Sequence, residues 1–195
     1  MKKIIILFII FSSCKKEVYY YPSKKFFDEN KTTEISIDNL NFKQITDSIR
    51  NELYNKRNLY IKVIEFNKTY IISPFANTGG YIRERNMLKI INDSIFRMDK
   101  TYHISHLSKF LKLHYENNNK EIDLPFSYKR AFIELSLEPN ADSKKLKNYL
   151  LKILETYNKT EIVSKDSIEL GIMLDYPLDR IFPNPPPPIP IEIEE

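Results

Sequence analysis

The sequence predicts an α+β fold: one or two small mixed sheets with two to three amphipathic helices packed on one face, in the order βαββ followed by ββαβαβ. Three observations lead there. Short alternating apolar runs recur between residues 34 and 176, stripes at i, i+3, i+4 and i+7 separate them, and Asn, Asp and Gly punctuate both. The resulting segment is an α+β unit at 34–176, divisible into subunits 34–75 and 87–176.

Ile35 and Ile37 open with a brief strand. Asn41 then precedes Phe42, Ile45, Ile49 and Leu53 at helical spacing, with Gln44 placed to complete a capping box. Leu59 to Phe66 and Thr69 to Phe75 read as strands joined in a hairpin across Asn67-Lys68, which closes the βαββ unit. Beyond the loop at Asn77 to Gly80, Met87–Ile91 and Ile95–Met98 form two more strands around Asn92-Asp93. Ser105 is placed to cap a helix that carries Leu107, Phe110, Leu111 and Tyr115 inward and ends in Asn117-Asn118-Asn119. Ala131 to Leu137 alternates as a half-buried strand, with Ile133, Leu135 and Leu137 on one face. The strongest helix runs from Asp142 to Tyr157, burying Leu146, Tyr149, Leu150, Ile153 and Leu154 while Lys144, Lys145, Lys147 and Lys152 face water. Ile162-Val163 and then Ile168 to Leu174 supply the last strands.

From Ile95 to Ser164 this order, strand-helix-strand-helix-strand, resembles the periplasmic domain of the ExbD/TolR biopolymer transport family over roughly a third of the chain. The strand Ala131–Leu137, the helix from Asp142 and the closing Glu161-Ile162-Val163 carry the resemblance. It implies helices covering one face of a small mixed sheet. That family's membrane helix with its proton-coupling Asp has no counterpart in the short, uncharged run Ile4 to Phe11, so neither an energy-transducing role nor a functional residue carries over.

Met1-Lys2-Lys3, the apolar run Ile4 to Phe11 and the small residues Ser12-Ser13 before Cys14 form a charged start, an h-region and a cleavage zone. As a helix the apolar run spans about 12 Å, against about 30 Å of bilayer hydrocarbon. Phe11-Ser12-Ser13-Cys14 resembles the lipobox of bacterial lipoprotein signal peptides, with Phe11 where Leu is usual. The resemblance implies removal of residues 1–13, lipidation of Cys14, and a bacterial cell-envelope protein held to a periplasmic or outer-membrane face by acyl chains such as palmitate. An ordinary secretory signal with an incidental Cys, or a buried first strand, are the alternatives. Residues 14–33 show no sustained period and read as a tether.

After Tyr176 the chain becomes proline-rich, with Pro185, Pro186, Pro187 and Pro188 consecutive, so residues 177–195 read as a polyproline II tail. It serves either as a docking segment for a partner's aromatic groove or as a rod ending the fold, and the alternation Ile189-Ile191-Ile193 also allows a short edge strand.

Composition narrows the function classes. Hydrophobic residues make up 42% of the 195 and charged residues 29%, a chain that folds. Its three glycines leave almost nothing from which to build a phosphate-cradling loop. The net charge of +4 falls to +2 once Lys2 and Lys3 leave with the signal, and basic and acidic residues intermix, so no nucleic-acid partner is expected. His103, His106 and His114 lack any HExxH-type spacing, and GxSxG is absent; no catalytic residue, metal or cofactor is assigned. His103 and His106 fit helix-surface or cap positions, and His114 a partly buried core position. Arg83 and Arg85, in the loop Gly79 to Arg85, are the first choice for anionic ligand contact, against the alternative that they solvate a hairpin edge. The leading expectation is a non-enzymatic, lipid-anchored envelope module that binds a protein or envelope partner. The alternative is a lipid-anchored hydrolase with a spatially assembled His/carboxylate site.

Overall fold

Asn41 begins the first long helix as its pattern predicts. Its Oδ1 accepts from the Gln44 N–H (2.9 Å) while the Gln44 side chain accepts from the Asn41 N–H (2.9 Å), and the helix runs Phe42–Tyr54. A computed structural model describes residues 16–78, 81–97, 100–163 and 165–176, and shows two mixed sheets with helices against them. The elements are β1 (Glu17–Tyr21), α1 (Lys24–Glu29), β2 (Thr32–Glu34), α2 (Phe42–Tyr54), β3 (Asn58–Glu65) and β4 (Lys68–Ile72). There follow β5 (Met87–Ile91), β6 (Ser94–Arg97), β7 (Lys100–His103), α3 (Leu107–Glu116), β8 (Phe132–Ser136), α4 (Ser143–Lys159) and β9 (Gly171–Asp175).

The first sheet has the order β1-β4-β3-β2, in which β3 and β4 form the antiparallel hairpin and β1 and β2 add as parallel edges. The span 14–33, expected as a tether, is corrected here: from Glu17 on it contributes two strands and a helix. Its tyrosines explain why. Tyr19 and Tyr21 lie on one face of β1, where Tyr19 stacks on Tyr70 (5.3 Å) and Tyr21 is buried, its hydroxyl donating to Asn158 on α4 (2.9 Å). A five-residue strand that buries alternate aromatics shows too few repeats to register as a period.

The second sheet has the order β7-β6-β5-β8-β9, with β5, β8 and β9 parallel and the β5-β6-β7 meander antiparallel. Leu88 and Ile90 on β5, Ile133 and Leu135 on β8, and Ile172 and Leu174 on β9 are register partners and all buried. They share one hydrophobic cluster with α3 and α4, and Tyr157 of α4 lies edge-on to both Tyr21 (6.5 Å) and Tyr115 (6.0 Å). Two isolated β-bridges help join the two halves among the described residues. Phe75 bridges in parallel to Met173, and the helix caps Asn41 and Asp142 bridge each other, so that Phe42 and Lys43 donate their N–H groups to Ala141 and Pro139 carbonyls.

Four local expectations change. The first brief strand is Thr32–Glu34, not Ile35-Ile37, because Ile37 turns into the core ahead of α2. Ser105 does not cap α3; a 3-10 turn at Ile104–His106 intervenes, and His103 Nδ1 accepts from the Ser105 N–H (3.2 Å). β8 is buried on both faces, since Glu134 and Ser136 are covered as well as Ile133 and Leu135. Of the closing strands only Gly171–Asp175 forms; Ile162 is buried outside any strand, and Val163 is exposed.

Tyr115 offers a direct test of this packing. Its ring is buried against Tyr157 and His114, yet its hydroxyl has no protein hydrogen-bond partner among the described residues. Tyr115→Phe should leave stability unchanged or raise it by up to about 1 kcal/mol, read by urea unfolding. A loss above about 1 kcal/mol would mean that the hydroxyl is bonded after all.

Candidate binding cleft

A cleft of about 390 Å³ opens where β5 begins and β6 ends, between α3 and the loop that follows it. Its apolar lining comes from Met87, Phe96, Phe110, Ile122 and Leu124, and its charged lining from Arg85, Lys89, Arg97, Glu84 and Asp123. Each wall has a local cause. A 3-10 turn at Glu84–Asn86 delivers Arg85 to the rim, where the guanidinium sits 3.4 Å from the Phe126 ring centroid. The opposite wall, residues 117–126, is held by buried Asn117. Its amide donates to the Glu121 and Pro125 carbonyls (both 2.9 Å), and its Oδ1 accepts from the Glu121 N–H (2.8 Å). Asn118 and Asn119 take positive φ (44° and 67°), the left-handed conformation that asparagine tolerates.

The cations differ in their partners. Arg97 pairs with Glu121, fastening the end of β6 to the loop, and Lys89 pairs with Glu134 across β5 and β8 (3.8 Å). Arg85 is held by an aromatic face, which orients the guanidinium without neutralising it. The cleft therefore presents a positioned cation beside exposed apolar side chains, Ile122 at 77% and Phe126 at 38% exposure. This is the arrangement of a contact surface for a group with an apolar body and an anionic or carbonyl-rich end.

His114 backs the cleft and is 2% exposed. Its Nε2 lies 3.1 Å from the Phe132 carbonyl, which can only accept, so the ring donates there. Burial pushes its pKa down to about 4, against the opposing main-chain hydrogen bonds at Phe132 and Asn86. It is a neutral pin between α3 and the starts of β5 and β8.

Of the residues singled out from the sequence, Arg85 lies in the cleft, while Arg83 is exposed just before the turn and is not part of the lining. Arg83 is the residue before the 3-10 turn and Arg85 sits inside it, so the two arginines occupy different backbone settings. His103 caps the 3-10 turn, His106 ends it, and His114 is a core residue. Asp93 pairs with Lys152 (3.7 Å) and Asp175 with Arg50 (3.5 Å), away from the cleft. Cys14, Gly79, Gly80 and Pro185 to Pro188 lie outside the described residues. Among the described residues, no three or more of His, Cys, Asp and Glu gather in a group able to hold a metal ion. Sequence reasoning missed Phe126, Phe96 and the Asn117 staple; the Asn triplet was the available signal, read only as a helix end. The chain matches no family model, no curated protein and no solved structure.

Proposed function

We propose that the protein is a lipid-anchored bacterial cell-envelope binding module, attached through Cys14 and receiving a protein or envelope partner in the cleft at Arg85. The observation that carries the binding reading is the cleft itself, with a ring-held cation beside exposed Ile122 and Phe126. The anchoring reading is supported by the pattern Lys2-Lys3, Ile4 to Phe11, Ser12-Ser13-Cys14. No helix among the described residues is long and apolar enough to cross a membrane.

In this cleft a hydrolase would have to draw its acid–base pair from His114, Glu84 and Asp123, which are all part of the lining. The buried His114 ring already spends its Nε2 proton on the Phe132 carbonyl, so it is badly placed to take one from a substrate. Binding is the better use of the geometry.

Two measurements test the reading. Metabolic labelling with a fatty acid should be lost in Cys14→Ser, and equal labelling overturns the anchor. A photo-crosslinking residue at Ile122 should give an adduct in cells that Arg85→Glu abolishes and that deletion of 177–195 leaves intact. Loss of the adduct on that deletion, with Arg85→Glu harmless, would move the contact from the cleft to the tail.

A further inference from the structure

The hairpin β3-β4 ends in an unusual residue for a turn. Phe66 is 96% exposed and has φ 51°, a left-handed conformation that bulky residues rarely adopt. It is not isolated. On the outer face of the first sheet, Val18, Thr69 and Ile64 are cross-strand neighbours on β1, β4 and β3, and Val18 and Ile64 are 46% and 65% exposed. Farther along the same face α1 provides cover, Phe27 packing on Tyr20 (5.5 Å) and Tyr60 (6.0 Å). Among the described residues nothing comparable covers the turn end, where Phe66, Ile64 and Val18 are exposed.

That end is also where the described chain begins. The Glu17 N–H donates to the Asn67 carbonyl (2.9 Å), so β1 starts beside the hairpin turn. Cys14 precedes Glu17 by three residues, a reach of at most about 11 Å. We infer that Phe66, Ile64 and Val18 form an apolar tip that seats in the interfacial layer of the bilayer carrying the Cys14 lipid, docking the first sheet end-on against the membrane. The inference rests on the anchoring reading and goes beyond it, because acyl chains alone would leave the domain free to tumble on a short leash.

The chemistry of the tip fits an interface. An aromatic ring is favoured at headgroup depth, and aliphatic side chains beside it add buried apolar area. Lys15, Lys16, Lys62 and Lys68 are balanced in part by Glu17 and Glu65, a net of +2, well short of a polybasic cluster. Seating should therefore depend weakly on anionic lipid, unlike a polybasic contact.

The test uses the full lipidated chain in vesicles of phosphatidylcholine, alone or with phosphatidylglycerol. With the Cys14 sulfur occupied by lipid, a nitroxide attached through Phe66→Cys or Thr101→Cys is site-specific; Thr101 lies on β7, the far edge strand of the second sheet. The nitroxide at 66 should be several-fold more accessible to oxygen, and less to a water-soluble nickel chelate, than that at 101, in both lipid compositions. Equal aqueous accessibility at the two positions, in a chain whose mass confirms the lipid, overturns the tip docking and leaves the anchor standing. Spin–spin broadening at 66 that disappears on dilution with unlabelled protein overturns it in favour of a second copy of the chain. A mass without lipid overturns the anchoring reading first, and this inference with it.

Discussion

Glu134→Met is expected to destabilise the protein by about 3 kcal/mol, Lys89→Met by a similar amount, and the double variant to return to within about 1 kcal/mol of the parent. The two residues are register partners on the parallel strands β5 and β8, with side chains only 13% and 9% exposed and a separation of 3.8 Å. Ser136 adds a hydrogen bond to the same carboxylate (3.2 Å). Removing either charge takes the Lys89–Glu134 attraction away from a group already out of water, whereas removing both takes away the desolvation cost as well as the attraction. Urea unfolding of the four proteins of the cycle measures the coupling. Single-variant losses below about 0.5 kcal/mol would show that water reaches the pair.

The second large effect is a pH dependence centred on His114. Its folded pKa of about 4 lies below the ordinary histidine value of 6.5. The unfolded chain therefore binds the extra proton first, and stability falls as pH drops from about 6.5 towards 4. Between pH 7 and 4.5 the loss should amount to about 2 kcal/mol. Asp47 does not blur this window. Partial burial raises its pKa, but hydrogen bonds from Lys43 and Tyr176 and the charges of Lys43 and Arg50 outweigh that and hold it below the usual carboxylate value. Its contribution is thus lost at still lower pH. His114→Gln keeps a donor for the Phe132 carbonyl and removes the titration, so its unfolding free energy should be nearly flat from pH 7 to 4.5. A variant as pH-sensitive as the parent would assign the dependence to another group.

The elements legible in the sequence were those whose cause is local. Asn41 with Gln44, and Asp142 ahead of Leu146, Leu150, Ile153 and Leu154, mark α2 and α4 because caps and helical stripes repeat over three turns or more. The β5-β6 hairpin was legible because the turn pair Asn92-Asp93 separates two short apolar runs. What escaped depends on partners outside the segment itself. β7 is four mostly polar residues, Lys100–His103, and is a strand only because β6 lies beside it. β8 looked half-buried, yet its second face is covered too: Phe75, fifty-seven residues away, packs on Phe132 (5.3 Å). The cleft was half legible. Arg85 followed from its loop, but Arg97, Phe110 and Ile122 join it from three other segments, and no spacing rule links them.

The parallel pairing of β1 with β4 bears on the order in which the molecule assembles. Glu17 pairs with Lys68 and Tyr21 with Ile72, so the amino-terminal strand closes a loop of about fifty residues, at an entropic cost of about 3 kcal/mol. The hairpin β3-β4 and helix α2 need only near neighbours and can form without it. Residues 17–21 precede the hairpin in the chain yet pair after it, and until then the half-built sheet exposes the edge of β4, with Tyr70 not yet stacked under Tyr19. A step slower than hairpin formation that covers this edge, with Tyr19 laid over Tyr70, is the kinetic signature of this pairing.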